Sequence, residues 1–463
     1  MASANKRRRV GIGLLGSGVV GEAIQEILWG DRKGDTGREI QLDLRKIYTR
    51  QPKNKKWFAR KPSLFTTRAE EVLDDPRIDI VVEALGFQKP SHLPQFRDYF
   101  LRAFRNGKSV VTSDKAVLAR FGTVIWAAAE KHGRQLRFEA CVGGGIPVIR
   151  SLSESFAAEE PEAIFGIVNG TCNYILSQME KSGRPYAEAL AEAQQKGYAE
   201  TNPLADVSGS DAEAKLLLLS RVAFGIDIEP GTIWRKGIED IHVVDFRYAG
   251  RTGSSTIKQL AVAKRNGQLV QVFVSPVLLP RENFLANIDG ATNAICFAGN
   301  RSAGGRGARD CDYVLVGPGA GGGPTAVAVL GDVYELARGG MTALGAPALV
   351  KPGSIKLQAE DEIDGSFYLR FVVKDRAGIV GDIGRTFGRI GVNISEIWQL
   401  GHSEDELRDL AQSYKLKVKP AAILPFVITL EKATLRQVRG ALESLRNRDY
   451  IVVEPVWFPI WGA

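Results

Sequence analysis

The sequence predicts an α/β protein in three parts. They are an N-terminal domain on a doubly wound parallel sheet (1–150), a mixed α+β domain (151–316) and a C-terminal ferredoxin-like βαββαβ unit (366–463). Three observations carry this. A strand runs into Gly16-Ser17-Gly18-Val19-Val20-Gly21 and then into a helix. Apolar runs of strand length alternate with helical patterns through the first domain. After Ser366 the periodicity reads strand, helix, strand, strand, helix, strand. The 463 residues also exceed one ordinary domain of roughly 100–200.

Val10–Leu15 is the first strand, and Glu22–Leu28 is helical. Between them lies G-x-G-x-x-G, the pattern of a Rossmann dinucleotide-binding turn. Gly16 allows the tight turn, Gly18 lets backbone approach a pyrophosphate, and Gly21 lets helix pack on strand. The helix N-terminus then offers N–H groups to phosphate. A plain tight turn is the alternative. Leu44–Thr49, Ile78–Leu85, Ser109–Thr112 and Leu136–Ala140 read as further strands, with helices at Leu93–Arg105 and Val117–His132. The run in Ile78–Leu85 is continuously apolar, as for a strand buried on both faces.

The end of the second strand reads cofactor choice. An acid there suits the ribose 2′-hydroxyl of NAD, and an arginine suits the 2′-phosphate of NADP. The tip is Thr49-Arg50-Gln51-Pro52-Lys53-Asn54-Lys55-Lys56, basic and without an acid. NADP(H) is therefore favoured over NAD(H), with Arg50 as the contact. A solvated basic loop is the competing reading.

In the middle domain Ile164–Val168, Leu260–Ala263, Val270–Leu279, Asn293–Ala298 and Asp312–Val316 read as strands. Cys172–Lys181, Tyr186–Lys196 and Asp211–Ala223 read as helices. The glycine-rich run 317–324 opens a helix at Thr325–Ala337, which makes it a second loop facing an anion or cofactor. Residues 317–345 are expected to return to the first domain. A linker follows at 346–365, with Pro347, Pro352 and the acidic run Glu360-Asp361-Glu362. In the last unit Phe367–Lys374, Val392–Leu400, Ile423–Glu431 and Tyr450–Val456 are strands. Ile379, Ile383, Phe387 and Ile390 mark one helix face; Leu435, Val438, Leu442 and Leu445 mark another.

Composition removes several classes. Hydrophobic residues at 44% and charged residues at 25% exclude a disordered chain. The net charge is +8, and Lys6, Arg7, Arg8 and Arg9 supply half of it in one tail, read as solvated and disordered. The weakly basic remainder suits an anionic small molecule and not nucleic acid. No apolar run reaches the ~18 residues of a membrane span, and the N-terminus lacks a signal peptide's apolar region. Cys141, Cys172, Cys296 and Cys311 are scattered, which argues against a disulfide framework or zinc site and for a reducing cytoplasm. With four histidines in all, the chemistry is not expected to depend on one.

The segment that carries chemistry is Ala193–Lys215, AQQKGYAETNPLADVSGSDAEAK. Glu200, Asp206, Asp211 and Lys215 bracket a loop holding Pro203 and Gly209. Asp211 and Lys215 are four apart at the start of an apolar helix, so they share a face. That is either a surface ion pair worth ~0.3–0.5 kcal/mol or a lysine held beside acids in a cleft, able to give or take a proton.

The stretch resembles the signature of the homoserine dehydrogenases, A-x3-G-aromatic-small-x2-N/D-P-x2-D-aliphatic-x-G-x-D-x3-K. Every fixed position is filled, by Ala193, Gly197, Tyr198, Ala199, Asn202, Pro203, Asp206, Val207, Gly209, Asp211 and Lys215. The segments GLLGSGVVGEA, VVTSDKAVLA, LRFEACVGGGIPVIRSL, GIVNGTCNYIL and GPGAGGGPTA resemble that family's blocks in its order, covering most of 10–340. The last unit resembles an ACT domain, a module that often binds amino acids.

The resemblance implies NAD(P)H-dependent interconversion of L-aspartate 4-semialdehyde and L-homoserine, on the way to threonine and methionine. It implies Lys215 as proton donor, Asp211 as its partner at the substrate, and Lys115 beside cofactor and substrate. Glu200, Asp206, Tyr198 and Thr171 become substrate contacts, the acids suiting an ammonium group. Gly16, Gly18, Val19, Val20, Gly21, Thr112, Lys115, Gly197 and Gly321 become nucleotide contacts. Glu139, Val142, Gly144 and Ile146 become a monovalent cation site, for Na+ or K+, built largely from backbone carbonyls. L-threonine becomes the expected effector, and a homodimer or homotetramer the expected assembly.

In the mechanism this implies, oxyanion charge grows on the aldehyde oxygen and must meet a cation or proton donor, Lys215 or Lys115. A stretch at Gly401–Ala422 is longer than ACT modules carry between their second and third strands. Two other readings stand: another Rossmann oxidoreductase for an amino or hydroxy acid, and a non-catalytic amino-acid sensor.

Overall fold

The computed structural model describes residues 8–30, 40–86, 89–300, 311–339, 353–417 and 419–462. Residues 1–7 of the tail, 340–345 of the returning segment and 346–352 of the linker lie outside them.

Six parallel strands form the first sheet, in the order Phe65–Thr66, Ile40–Tyr48, Arg8–Leu15, Ile80–Glu83, Ser109–Thr112, Leu136–Arg137. The chain winds outward in one direction from Arg8–Leu15 and then in the other from Ile80–Glu83. The crevice between their carboxyl ends is where such sheets bind ligands. Leu136–Ala140 was expected to be wholly strand, but Glu139–Cys141 turns into a 3₁₀ segment. That turn redirects the chain into the second domain.

The second sheet has eleven strands. Its main path runs Tyr313–Pro318, Thr292–Gly299, Pro161–Ile167, Ser255–Asn266, Leu269–Pro280, Ile451–Ile460, Asp364–Lys374, Ile423–Thr434, Ile394–Trp398. The last four belong to the C-terminal unit. Their spatial order is fourth, first, third, second, and all their pairings are antiparallel, as in a ferredoxin-like fold. The unit's sheet joins the middle domain's where Leu278 pairs with Ile460 and the Trp461 N–H donates to the Leu278 carbonyl at 2.8 Å. One apolar cluster runs through both, from Phe165 and Val277 to Phe371 and Phe426.

The long Gly401–Ala422 stretch is a strap. Its helix, Glu404–Ser413, starts with a capping box of Ser403 and Glu406. It docks on the middle-domain helix Val243–Ala249. Arg247 donates to Glu406 at 2.5 Å and to the Gly401 carbonyl at 3.1 Å. Beneath it Arg370 and Asp245 pair at 2.8 Å with both side chains fully buried. The Tyr368 hydroxyl donates to Asp245, and Arg370 donates to the Tyr414 hydroxyl. Arg370 Nη1 is left without a partner among the described residues, and the cost of burying both charges offsets much of what their attraction contributes.

The cysteine expectation needs correction, because Cys296 and Cys311 form a disulfide, with Cα atoms 5.4 Å apart. Cys296 lies on Thr292–Gly299 and Cys311 just before Tyr313–Pro318. These strands pair antiparallel with Phe297 opposite Tyr313, which brings together residues that spacing alone leaves apart. Cys141 and Cys172 are free and buried.

Candidate active site

The nucleotide crevice follows from the glycines. A Cβ on Gly16 would lie 2.2 Å from the Ala84 carbonyl oxygen, and one on Gly21 would lie 2.3 Å from that of Gly16. Gly16 also has φ 107°, which glycine alone adopts readily. Gly18 faces open space, with nothing within 4 Å of its Cβ position. Val19 follows, 76% exposed at the mouth. A cavity of about 600 Å³ opens here, lined by Gly16, Ser17 and Gly18 on one side and by Arg50, Gln51 and Lys55 on another. Tyr48, His92, Phe96 and Tyr99 close its far wall, and the sequence reading named none of them. Lys55 is paired with Glu22 at 3.1 Å and Lys56 with Glu26 at 2.7 Å, so helix acids temper part of the basic tip.

The second glycine loop meets the first. Gly321 precedes the helix Gly322–Arg338, and a Cβ on Gly322 would sit 2.8 Å from Val19 Cγ1. That helix packs against Val19–Trp29, while Gly317 and Pro318 before it still belong to the second sheet. Gly197 stands apart, with φ 76° and no atom near its Cβ position. Thr112 turns inward: its hydroxyl donates to Glu83 at 2.5 Å and accepts the Asp114 N–H at 2.9 Å. It shapes the turn into the Lys115–Lys131 helix, which Asp114 caps.

Three helix N-termini converge on one carboxylate. Lys115 begins its helix, Asn169 caps Gly170–Ser182, and Asp211 lies in the first turn of Ser210–Phe224. Lys115 Nζ is 3.0 Å from Asp211 Oδ1, and Lys215 Nζ is 2.7 Å from Oδ2. Asn169 Nδ2 donates to Asp211 Oδ2 at 2.9 Å and to Asp206 Oδ1 at 2.7 Å. Lys215 Nζ also donates to the Val168 carbonyl at 2.6 Å. Two of its three N–H groups are thus directed. Burial pushes the Asp211 carboxyl up, but the two lysines outweigh it and hold it well below the usual range. Asp211 in turn raises Lys115 above an ordinary lysine, against the cost of burial. Burial raises the neighbouring Asp206. The positive ends of three helix dipoles and two ammonium groups therefore face one small volume, which favours negative charge arriving there.

The other named residues divide. Thr171 packs at this site through its hydroxyl, which donates to the Tyr198 carbonyl at 2.6 Å. The Tyr198 ring is 46% exposed and leans on Tyr174. Glu200 is exposed; no hydrogen bond or ion pair among the described residues joins its carboxylate to the lysines, and its carbonyl accepts from Gln194.

Glu139, Val142, Gly144 and Ile146 share one buried turn. The Glu139 carboxylate accepts the N–H groups of Ile149 and Arg150, both at 2.8 Å. Burial and Asp332 push it up to about 7. That side chain caps a helix, so the turn fits a cation only through backbone carbonyls. Among the described residues no His, Cys, Asp and Glu cluster could hold a metal.

Comparison with known proteins gives the chain's relatives. The family model "Homoserine dehydrogenase, NAD binding domain" matches residues 16–139, and "Homoserine dehydrogenase" matches 147–334. A homoserine dehydrogenase of Synechocystis is 35% identical over 405 residues, 85% of this chain and 90% of the relative. The crystal structure of a homoserine dehydrogenase from Thiobacillus denitrificans superposes with a TM-score of 0.82 at 30% identity, covering 98% of each chain. A hyperthermophilic archaeal homoserine dehydrogenase, solved in complex with NADPH, shares the fold at 24% identity with a TM-score of 0.57, over 71% of this chain and 97% of its own.

Proposed function

This chain belongs to the homoserine dehydrogenase family of oxidoreductases, and from that premise we propose that it interconverts L-aspartate 4-semialdehyde and L-homoserine with Lys215 as proton donor. The observation that carries the site assignment is the pair of lysines held by Asp211. A bound nicotinamide supplies or accepts the hydride at the substrate's C4. In the reducing direction charge grows on the aldehyde oxygen. Lys215, aimed by Asp211 and the Val168 carbonyl, delivers a proton to that oxygen, and Lys115 meets the same charge from the opposite side of Asp211. In the oxidising direction Lys215 takes the hydroxyl proton back. Asp206, Glu200, Tyr198 and Thr171 form the substrate side, with Asp206 suited to the ammonium group. Gly16, Gly18, Val19, Val20, Gly21, Gly197 and Gly321 border the nucleotide, and the Thr112 turn sets Lys115. Carbonyls of Glu139, Val142, Gly144 and Ile146 would hold Na+ or K+ as a structural ion.

NADP(H) is the favoured cofactor, because Arg50 lines the cavity at the tip of Ile40–Tyr48. Arg50→Ala is expected to lower kcat/KM for NADPH about 10–100-fold, the range of a lost charge-assisted contact of ~1.5–3 kcal/mol. The value for NADH should barely change. A wild-type enzyme that prefers NADH would refute the assignment.

The C-terminal unit is read as ACT-like, with L-threonine as feedback effector. Its Asp375–Gly378 turn and Gly391-Val392-Asn393 segment support this, and the strap offers a route to the middle domain. Threonine titrated into the homoserine assay should inhibit; neither binding nor inhibition would leave the unit a structural one. Among the described residues Tyr313–Pro318 is an edge strand, with Val316 47% exposed, which supports a homodimer or homotetramer. Among the described residues no helix is long and apolar enough to cross a membrane; a cytoplasmic setting is part of the same proposal.

A further inference from the structure

Asn293 is the second residue of the Thr292–Gly299 strand and is 1% exposed. Its Nδ2 donates to the Val168 carbonyl at 3.0 Å, the same oxygen that accepts Lys215 Nζ at 2.6 Å. That acceptor fixes which end of the amide is nitrogen. Its Oδ1 is buried and has no partner among the described residues. A buried acceptor left unpaired calls for an explanation beyond local bonding.

The amide is packed tightly on its other flank. A Cβ on Gly319 would sit 1.9 Å from Asn293 Nδ2 and 2.5 Å from Oδ1. Gly319 does not occupy the left-handed region, so its backbone does not demand glycine. What excludes a side chain there is Asn293. Behind Gly319 stands Gly144, whose Cβ position is 2.7 Å from the Gly319 carbonyl. Three residues on, Gly322 presses on Val19 of the first glycine loop. One amide is therefore wedged between the loop beside the nucleotide crevice and the carbonyl that aims Lys215.

We propose that Asn293 is a positioning residue. Clamped by Gly319, it holds the Val168 carbonyl on the Lys215 ammonium and so directs the remaining N–H at the reacting oxygen. This rests on the reading of Lys215 as proton donor.

Asn293→Asp keeps the shape and removes the donor. Gly319→Ala keeps Asn293 and displaces its amide. In both, kcat for homoserine oxidation should fall about 10–100-fold, the usual effect of losing a group that orients a ligand-binding side chain. The homoserine KM should stay within about twofold in both, and the NADPH Kd within about twofold in Asn293→Asp, which leaves the glycine loop unchanged. The solvent deuterium isotope effect on kcat should rise, because transfer of the hydroxyl proton to Lys215 becomes limiting; a purely structural role would not move it. Two results overturn the proposal: kcat within about twofold of wild type in both variants, or a loss of kcat that follows weaker NADPH binding with an unchanged isotope effect. Lys215→Ala run in parallel separates the failures. If it keeps wild-type kcat, the reading of Lys215 falls and takes this proposal with it. If it is inactive while both other variants are normal, Asn293 alone is refuted.

Discussion

Lys215→Ala is expected to lower kcat by about 10³-fold or more while NADPH still binds. The side chain is 10% exposed and makes two bonds, to Asp211 and the Val168 carbonyl, that serve to aim it. Alanine removes both the proton source and the positive charge nearest the growing oxyanion. Lys115 does not replace it, because it approaches Asp211 from the other oxygen and starts a different helix. Lys215→Arg should not restore activity either. A planar guanidinium does not reproduce a compact ammonium held between the Val168 carbonyl and Asp211, and it does not release its proton near neutrality. The cofactor crevice lies on the other domain's glycine loop, so an NADPH fluorescence titration should give a nearly unchanged Kd. A variant with near-wild-type kcat would remove Lys215 from the mechanism.

The parts legible in the sequence were those whose physics is local. Gly21 is forced by the Gly16 carbonyl within the same strand–turn–helix, Gly16 by the positive φ of its own turn, and the helix face shared by Asp211 and Lys215 follows from a spacing of four. The rest comes from chain segments far apart. Val168 acts through a carbonyl, which leaves no side-chain trace, and Asn293 reaches it from 125 residues away. Asn169 was within reach, since an asparagine before an apolar helix is a capping signal. Glu200 is a case where the motif says more than the bonding: its carboxylate is exposed and makes no bond to the lysines among the described residues, so its proposed role rests on reaching substrate directly. The fused sheet was hidden for another reason. The last strand runs on to Ile460, past the expected end at Val456, and it is Ile460 that pairs with the middle domain. Pro455 and Pro459 make that run read as a poor strand.

Asp211→Asn is expected to damage the enzyme by a different route, through a conflict of donors. Lys115, Lys215 and Asn169 all donate to the two Asp211 oxygens. An amide of the same shape keeps one oxygen and turns N–H groups toward the others, so at least one donor faces a donor. The two ammonium groups also lose the charge that lets them sit together. We expect kcat to fall about 10²–10³-fold, since the proton donor loses its aim. Stability should fall by about 2–3 kcal/mol, less than the ~3–5 of a fully buried broken pair because Lys115 is 31% exposed. The pH dependence has a definite sign. Asp211 is held below its unfolded range, so its contribution is complete above about pH 4 and is lost as pH falls through the folded value. The Tm difference between wild type and variant should therefore be level from about pH 5 to 8 and narrow under acid. A gap that instead closes toward pH 8, or a variant with wild-type kcat, would mean that Asp211 is not what holds the two lysines in place.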